Sequence, residues 1–167
     1  MKLERHENNM RTSGLGINLI KEFEGCKLVA YPDVAKIWTI GYGTTYINNS
    51  PVVKGMTCTQ QEAEAYLCKD LQLFESTINQ ILRNPILQHQ FDACVCLAYN
   101  IGPGGFRAST ICRKLKSGNV SLVTEQNFVA WNKVRDSRGV LVESKGLTRR
   151  RKAEYHLFST GSIKTQF

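Results

Sequence analysis

Glu24, Asp33 and Thr39 are the residues of this 167-residue chain whose types and order suit chemistry. Glu24 closes an apolar run from Gly14 to Phe23, where partial burial is expected to favour a protonated carboxyl. Asp33 follows nine residues later, behind Pro32, in a polar turn that solvent can reach and that keeps a carboxylate ionised. Cleaving a glycosidic bond requires such a pair: an acid that protonates the leaving oxygen, and a carboxylate that activates water or faces the developing cation. Thr39 comes six residues further on, within Trp38-Thr39-Ile40-Gly41-Tyr42-Gly43. Spacing alone is weak evidence. The Gly41-Tyr42-Gly43 step lacks the third glycine of a dinucleotide-binding loop and reads as a hairpin turn.

The elements that must position these residues follow from periodicity. Ile17, Leu19, Ile20 and Phe23 recur at helical spacing, with Gly25 as the stop. Lys27 to Tyr46 is rich in β-branched and aromatic residues broken by Pro32, Gly41 and Gly43, the composition of short strands and turns, and Ile47 to Gly55 extends it. Thr59-Gln60-Gln61-Glu62 is a capping box that opens a helix of about 22 residues over 60–82, with Pro85 beyond its end. So long a helix in so small a chain is expected to join two lobes. Further helices are expected over His89–Ile101 (closed by Gly102 and Pro103), from a cap at Ser109 or Thr110 to near Gly118, over Leu122–Val134, and over Thr148–Ser159. Residues 136–146 read as a loop or hairpin. The fold class is therefore α+β: a small N-terminal lobe with a short antiparallel sheet, a long interlobe helix and a mostly helical C-terminal lobe, with the cleft between lobes as the binding site. Residues 1–13 read as a loose polar extension, 14–161 as the domain and 162–167 as a tail.

Composition narrows the partners. A net charge of +8 favours polyanions, including an anionic bacterial envelope. Nucleic acid is not expected, because no zinc-finger spacing or RNA-binding aromatic signature accompanies the charge. Arg149-Arg150-Arg151-Lys152 reads as a solvated helix face. No stretch has the length of a membrane helix, and the polar start of the chain lacks the apolar middle of a secretory signal. The six cysteines (Cys26, Cys58, Cys68, Cys94, Cys96 and Cys112) include no CxxC pair and form no ligand cluster with the three histidines. They are expected to be reduced and mostly buried, with no metal and no cofactor. Cys26 stands apart because it is two residues from the proposed acid.

Taken together, Phe23-Glu24-Gly25, Ala30-Tyr31-Pro32-Asp33 and Trp38-Thr39-Ile40-Gly41-Tyr42-Gly43 resemble the signature of bacteriophage-type lysozymes, the endolysins. The resemblance spans about residues 14–161. It takes in the interlobe helix ending at Ile81-Leu82-Arg83-Asn84, the segment Asn100-Ile101-Gly102-Pro103-Gly104-Gly105-Phe106 and the basic motif Gly146-Leu147-Thr148-Arg149-Arg150-Arg151-Lys152-Ala153-Glu154. It implies a lysozyme-like fold and hydrolysis of the bond between N-acetylmuramic acid and N-acetylglucosamine in peptidoglycan, with inversion at the anomeric carbon. Glu24 is then the general acid, Asp33 assists water attack and Thr39 positions the water. Tyr99, Asn100, Ser109 and Asn132 are candidate sugar contacts, although each also has a packing or capping role to play, and Arg150 is a candidate partner of the acid. One departure is Thr44, where many family members carry His. A lytic transglycosylase and an inactive peptidoglycan-binding module are the alternatives. The expected life history is that of a monomer held in the host cytoplasm, without stable membrane insertion, until a separate holin admits it to the wall.

Overall fold

The computed structural model describes residues 8–167, so the first seven residues of the expected extension lie outside it. The chain divides into two compact units. One holds Ile20–Gln72; the other holds Leu73–Phe167 together with the chain up to Leu19.

In the first unit the end of α1 (Gly14–Glu24) leads through Gly25 into an antiparallel pair, β1 (Lys27–Pro32) and β2 (Trp38–Gly41). Tyr31 faces Thr39 and Pro32 faces Trp38, while the register shifts between Lys27 and Tyr31. The expected Gly-Tyr-Gly turn is present: Ile40 and Thr44 exchange both backbone hydrogen bonds at 2.9 Å around it. Gly41 requires its residue type twice over, since its φ is +64° and a Cβ there would sit 3.2 Å from that of Ala63. A second two-stranded ribbon, β3 (Tyr46–Ile47) and β4 (Ser50–Pro51), follows. Ala30, Ile40 and Val52 form the buried centre, with Trp38, Ile47, Met56, Cys58 and Tyr66 packed on it.

Helix α2 (Gln60–Ile81) has the 22 residues that its periodicity predicts. Its capping box is made: the Glu62 amide donates to Thr59 Oγ1 at 3.1 Å and the Thr59 amide donates to Glu62 Oε2 at 2.8 Å. The division between units falls inside this helix, after Gln72.

The second unit is built on α3 (Gln88–Ala108), against which α6 (Lys145–Thr160) packs, with α4 (Thr110–Lys116) and α5 (Glu125–Val129) around them. Phe91, Leu97, Phe106, Ile111, Phe128 and Leu157 are fully buried here. One expectation is refined and one is corrected. The expected close at Gly102 and Pro103 is present as a break within α3: Gly102 takes the non-helical φ 80° and ψ 160°, and the chain turns helical again behind it to Ala108. Pro103 suits the first turn of that new segment, where a missing N–H costs nothing. The expected helix over 122–134 shrinks to α5, because Thr124 starts a helix that stops at Val129, and Val134 belongs to a strand. That strand, β5 (Lys133–Arg135), pairs antiparallel with β6 (Leu141–Glu143) across the expected hairpin.

Residues 8–13 are not loose. Their polar side chains and amides bind the carboxyl groups of the neighbouring helices: Thr12 donates twice to Glu75 at 2.8 Å, and the Ser13 amide donates to Asp92 Oδ1 at 2.9 Å. Met10 and Asn79 exchange a further pair of hydrogen bonds.

The basic run is not a solvated face either. Arg149 is exposed, but Arg150 and Arg151 are buried at 5% and 0% exposure, and both donate to Glu154 Oε1. Among the described residues no helix is long and apolar enough to cross a membrane.

Candidate active site

Glu24, Asp33 and Thr39 all lie in the unit of Ile20–Gln72. Glu24 is the last residue of α1, half-buried, and the Gly25 amide behind it closes onto the Lys21 carbonyl at 3.1 Å. Gly25 has φ +66°, so the chain leaves the helix in one residue and turns directly into β1. Asp33 opens the β1–β2 turn, where its Oδ1 accepts the amides of Ala35 and Ile37 at 2.8 Å. An aspartate is suited to this place because a short carboxylate hydrogen-bonds its own backbone two residues on. Its own amide donates to the Ile37 carbonyl at 2.9 Å, which clamps the turn. Thr39 is buried in β2, directly across from Tyr31, and its hydroxyl donates to the Ile37 carbonyl at 3.0 Å.

Tyr31 ties these residues together. Burial pushes its phenol up, and the negative charges of Glu24 and of Asp33 add to the shift. Both carboxylates therefore act on one ring, and that ring is the strand partner of Thr39. Tyr31 stands in the sequence as part of a motif, not as a site residue. The signal that would have found it is strand alternation, which puts residues 31 and 33 on the same face of an extended segment.

Behind the turn, Thr44 is buried and its hydroxyl donates to Asp70 Oδ2 at 2.6 Å. Burial pushes the Asp70 carboxyl up, while the Thr44 hydroxyl and the Lys69 charge oppose the shift. Lys21 forms an ion pair with Glu64 at 2.8 Å and lies 5.7 Å from the centre of the Tyr42 ring, whose hydroxyl accepts from Gln60 at 2.7 Å. The support for the hairpin is thus polar on one side and apolar on the other.

The remaining candidates lie in the other unit. Tyr99 is half-buried and meets Phe74 edge-on, with ring centres 5.2 Å apart. Asn100 is exposed, and its Oδ1 accepts from Arg151 at 3.0 Å. Ser109 is buried and caps α4, accepting the Cys112 amide at 3.0 Å and donating to the Phe106 carbonyl at 2.7 Å. Asn132 is buried and donates to Thr148 Oγ1 at 2.9 Å. Tyr99 and Asn100 thus keep exposed surface, while Ser109 and Asn132 are occupied in holding backbone and helix ends. Arg150 donates to Glu154 Oε1 at 3.1 Å and to the Cys96 carbonyl at 3.5 Å.

The chain is similar to known proteins along most of its length. The family model described as phage lysozyme matches residues 21–154, which contain Glu24, Asp33 and Thr39. The endolysin of Bacillus phage PZA is 41% identical over 157 residues, covering 93% of this chain and 57% of the relative; this chain therefore spans little more than half the length of that protein. The endolysin of Acyrthosiphon pisum secondary endosymbiont phage 1 is 37% identical over 151 residues, covering 90% of this chain and 99% of the relative. Among solved structures, an endolysin from Escherichia coli O157:H7 phage FAHEc1 superposes with a TM-score of 0.86 at 37% identity, covering 95% of this chain and 99% of that one. On the extent of the family match and the identity over whole relatives, the chain belongs to the phage lysozyme family of glycoside hydrolases.

Proposed function

We propose that this chain is an endolysin that hydrolyses the bond between N-acetylmuramic acid and N-acetylglucosamine in bacterial peptidoglycan, with host cell lysis as the outcome. The observation that carries the reading is the placement of Glu24 at the end of the helix that leads into β1, with Asp33 opening the β1–β2 turn and Thr39 on the opposite strand across from Tyr31. Glu24 is the general acid: it gives its proton to the glycosidic oxygen as the bond breaks. Asp33 draws a proton from the attacking water, while facing the positive charge that builds on the sugar ring. Thr39 orients that water through its hydroxyl, which both donates and accepts. Attack from the face opposite the leaving group inverts the anomeric carbon.

Peptidoglycan lies outside the inner membrane, and release of the enzyme to it is proposed to depend on a separate holin. Expression alone should leave cells intact, and co-expression of a holin should clear the culture. Prompt lysis without the holin would remove that dependence.

The test of the chemistry is mass spectrometry of peptidoglycan digested by the wild type beside Glu24→Gln. The wild type should yield hydrated reducing-end sugars, and a folded Glu24→Gln should lose about 10²- to 10⁴-fold in rate, the usual worth of general acid catalysis. Products lighter by one water would identify a transglycosylase instead. Near-normal release by Glu24→Gln would overturn the assignment of the acid.

A further inference from the structure

A second reactive pair lies in the unit that holds Glu24. Cys26 follows Glu24 by two residues, and Cys58 lies on the segment that pairs with the start of β1. Backbone hydrogen bonds set the register there. The Ala30 amide donates to the Met56 carbonyl and the Cys58 amide to the Leu28 carbonyl, both at 2.9 Å, and Val29 stands across from Thr57. Cys58 is therefore opposite Leu28. Cys26 comes two residues before Leu28, just ahead of β1, so this register brings the chain at Cys26 alongside Cys58.

Both thiols are free and neither is shut away from solvent: each is of intermediate exposure, whereas Cys94, Cys96 and Cys112 are buried. The two also sense each other, since burial pushes the Cys58 thiol up and Cys26 adds to that shift. A disulfide needs Cβ atoms about 3.5–4.5 Å apart, so one partner must move inward. Cys58 is held by the hydrogen bond from its amide to the Leu28 carbonyl and by packing on Ala30, Ile40 and Val52. Cys26 is outside the strand, next to Gly25, which has φ +66° and nothing within 4 Å of its missing Cβ. Freedom and space are both on the Cys26 side, and Glu24 is attached to it.

We infer that Cys26 and Cys58 form a reversible dithiol switch, whose closure to a disulfide draws Glu24 out of its working position. The oxidant is a low-molecular-weight disulfide. The Cys26 thiolate attacks one of its sulfurs and releases the first half as a thiolate. The Cys58 thiolate then attacks the Cys26 sulfur, forming the new S–S bond and releasing the second half. The two cysteines lose two protons and two electrons, and the oxidant leaves as two thiols. The pairing stands on the strand register alone; its effect on activity rests on the proposed role of Glu24.

The experiment treats the whole protein with diamide, an azo oxidant that takes the two hydrogens onto its N=N bond and leaves no adduct. Peptide mapping should then show the Cys26 and Cys58 peptides joined. Lysis of permeabilised bacteria should fall by about a hundredfold, the cost of an ångström-scale misplacement of a reacting group, and dithiothreitol should restore it. Cys58→Ala should have wild-type basal activity and ignore the oxidant, and Cys26→Ser provides the same test from the other partner. Both thiols remaining open to alkylation after oxidation would overturn the pairing. A complete cross-link with unchanged lysis, in a protein that Glu24→Gln inactivates, would overturn the switch. Inhibition by the cross-link together with a fully active Glu24→Gln would refute the assignment of the acid and leave the dithiol standing.

Discussion

Asp70 shows how one residue's surroundings become a dependence on pH. Its carboxyl is pushed above the ordinary 3.8 because burial outweighs the help of the Thr44 hydroxyl and Lys69. The folded chain therefore binds more protons at this site than the unfolded chain. Stability from this site falls as pH rises from below the unfolded value through the raised one, and the full penalty is present at neutral pH. Asp70→Asn should raise the urea midpoint at pH 7 and remove part of the decline between acid and neutral pH, because the amide still accepts from Thr44. A midpoint lowered at pH 7 would mean that the charge on Asp70 strengthens the Thr44 bond by more than its burial costs. Replacing Glu154 should act the other way on stability, because it is fully buried and accepts from both Arg150 and Arg151. Arg151 is itself fully buried, and its Nε and Nη1 make no hydrogen bond, so Glu154 carries much of its neutralisation. Removing one partner of such a pair leaves a buried charge uncompensated, and Glu154→Gln should cost about 3–5 kcal/mol in chemical denaturation.

At the scale of elements, the polar segment before α1 acts as a strap. Thr12 and Ser13 bind Glu75 and Asp92, and Gln88 reaches both the Arg11 carbonyl and Asp92 at 2.8 Å. The strap can lie this close only because residue 16 has no side chain: a Cβ there would meet Thr12 Cγ2 at 2.6 Å and Asp92 Cβ at 2.9 Å. Gly16→Ala gains helix propensity worth about 1 kcal/mol, yet it should destabilise the protein, because overpacking of this kind costs about 1–3 kcal/mol. Protease cleavage near residue 13 should also become faster, and a variant as stable as wild type with an uncut strap would refute the contact. These elements also show what a sequence can reveal. The length and cap of α2 were legible because a capping box, a steady apolar period and a following proline all agree. The hairpin that carries the proposed site was legible because Pro32, Asp33 and the paired glycines each demand a particular backbone. The strap was not, because its partners are carboxylates 63 to 79 residues away and polar composition says nothing about distant acceptors. The basic run misled for the same reason: burial of Arg150 and Arg151 depends on α3 packing over α6, although Glu154 at the third and fourth positions beyond them was a visible clue. The residues over 122–134 have an apolar content that suits either helix or strand, and the tight turn at Asp136, whose carboxylate accepts the Arg138 and Val140 amides at 2.9 Å, is what turns Val134 into a strand residue.

At the scale of the molecule, 22 basic residues against 14 acidic ones leave a net charge of +8, and much of it bears on how the protein meets its substrate rather than on the chemistry. A bacterial envelope is anionic, and a cationic enzyme gathers on it before any bond is cleaved. Charges in water are felt over about 10 Å at 0.1 M salt and about 3 Å at 1 M. Raising salt across that range should therefore weaken adsorption to whole cell walls steeply, which a sedimentation assay with wall fragments reads directly. The turnover of a short uncharged chitooligosaccharide or a soluble muropeptide should change little, because the proposed acid and carboxylate would act at contact distance, inside the range that salt screens least. A parallel fall in both assays would instead place the salt effect at the catalytic pair itself. Replacing exposed Lys54 and Arg83 with glutamine, both outside the hairpin turn that carries Asp33, should reproduce the salt effect on walls at low ionic strength while leaving hydrolysis of the small substrate intact.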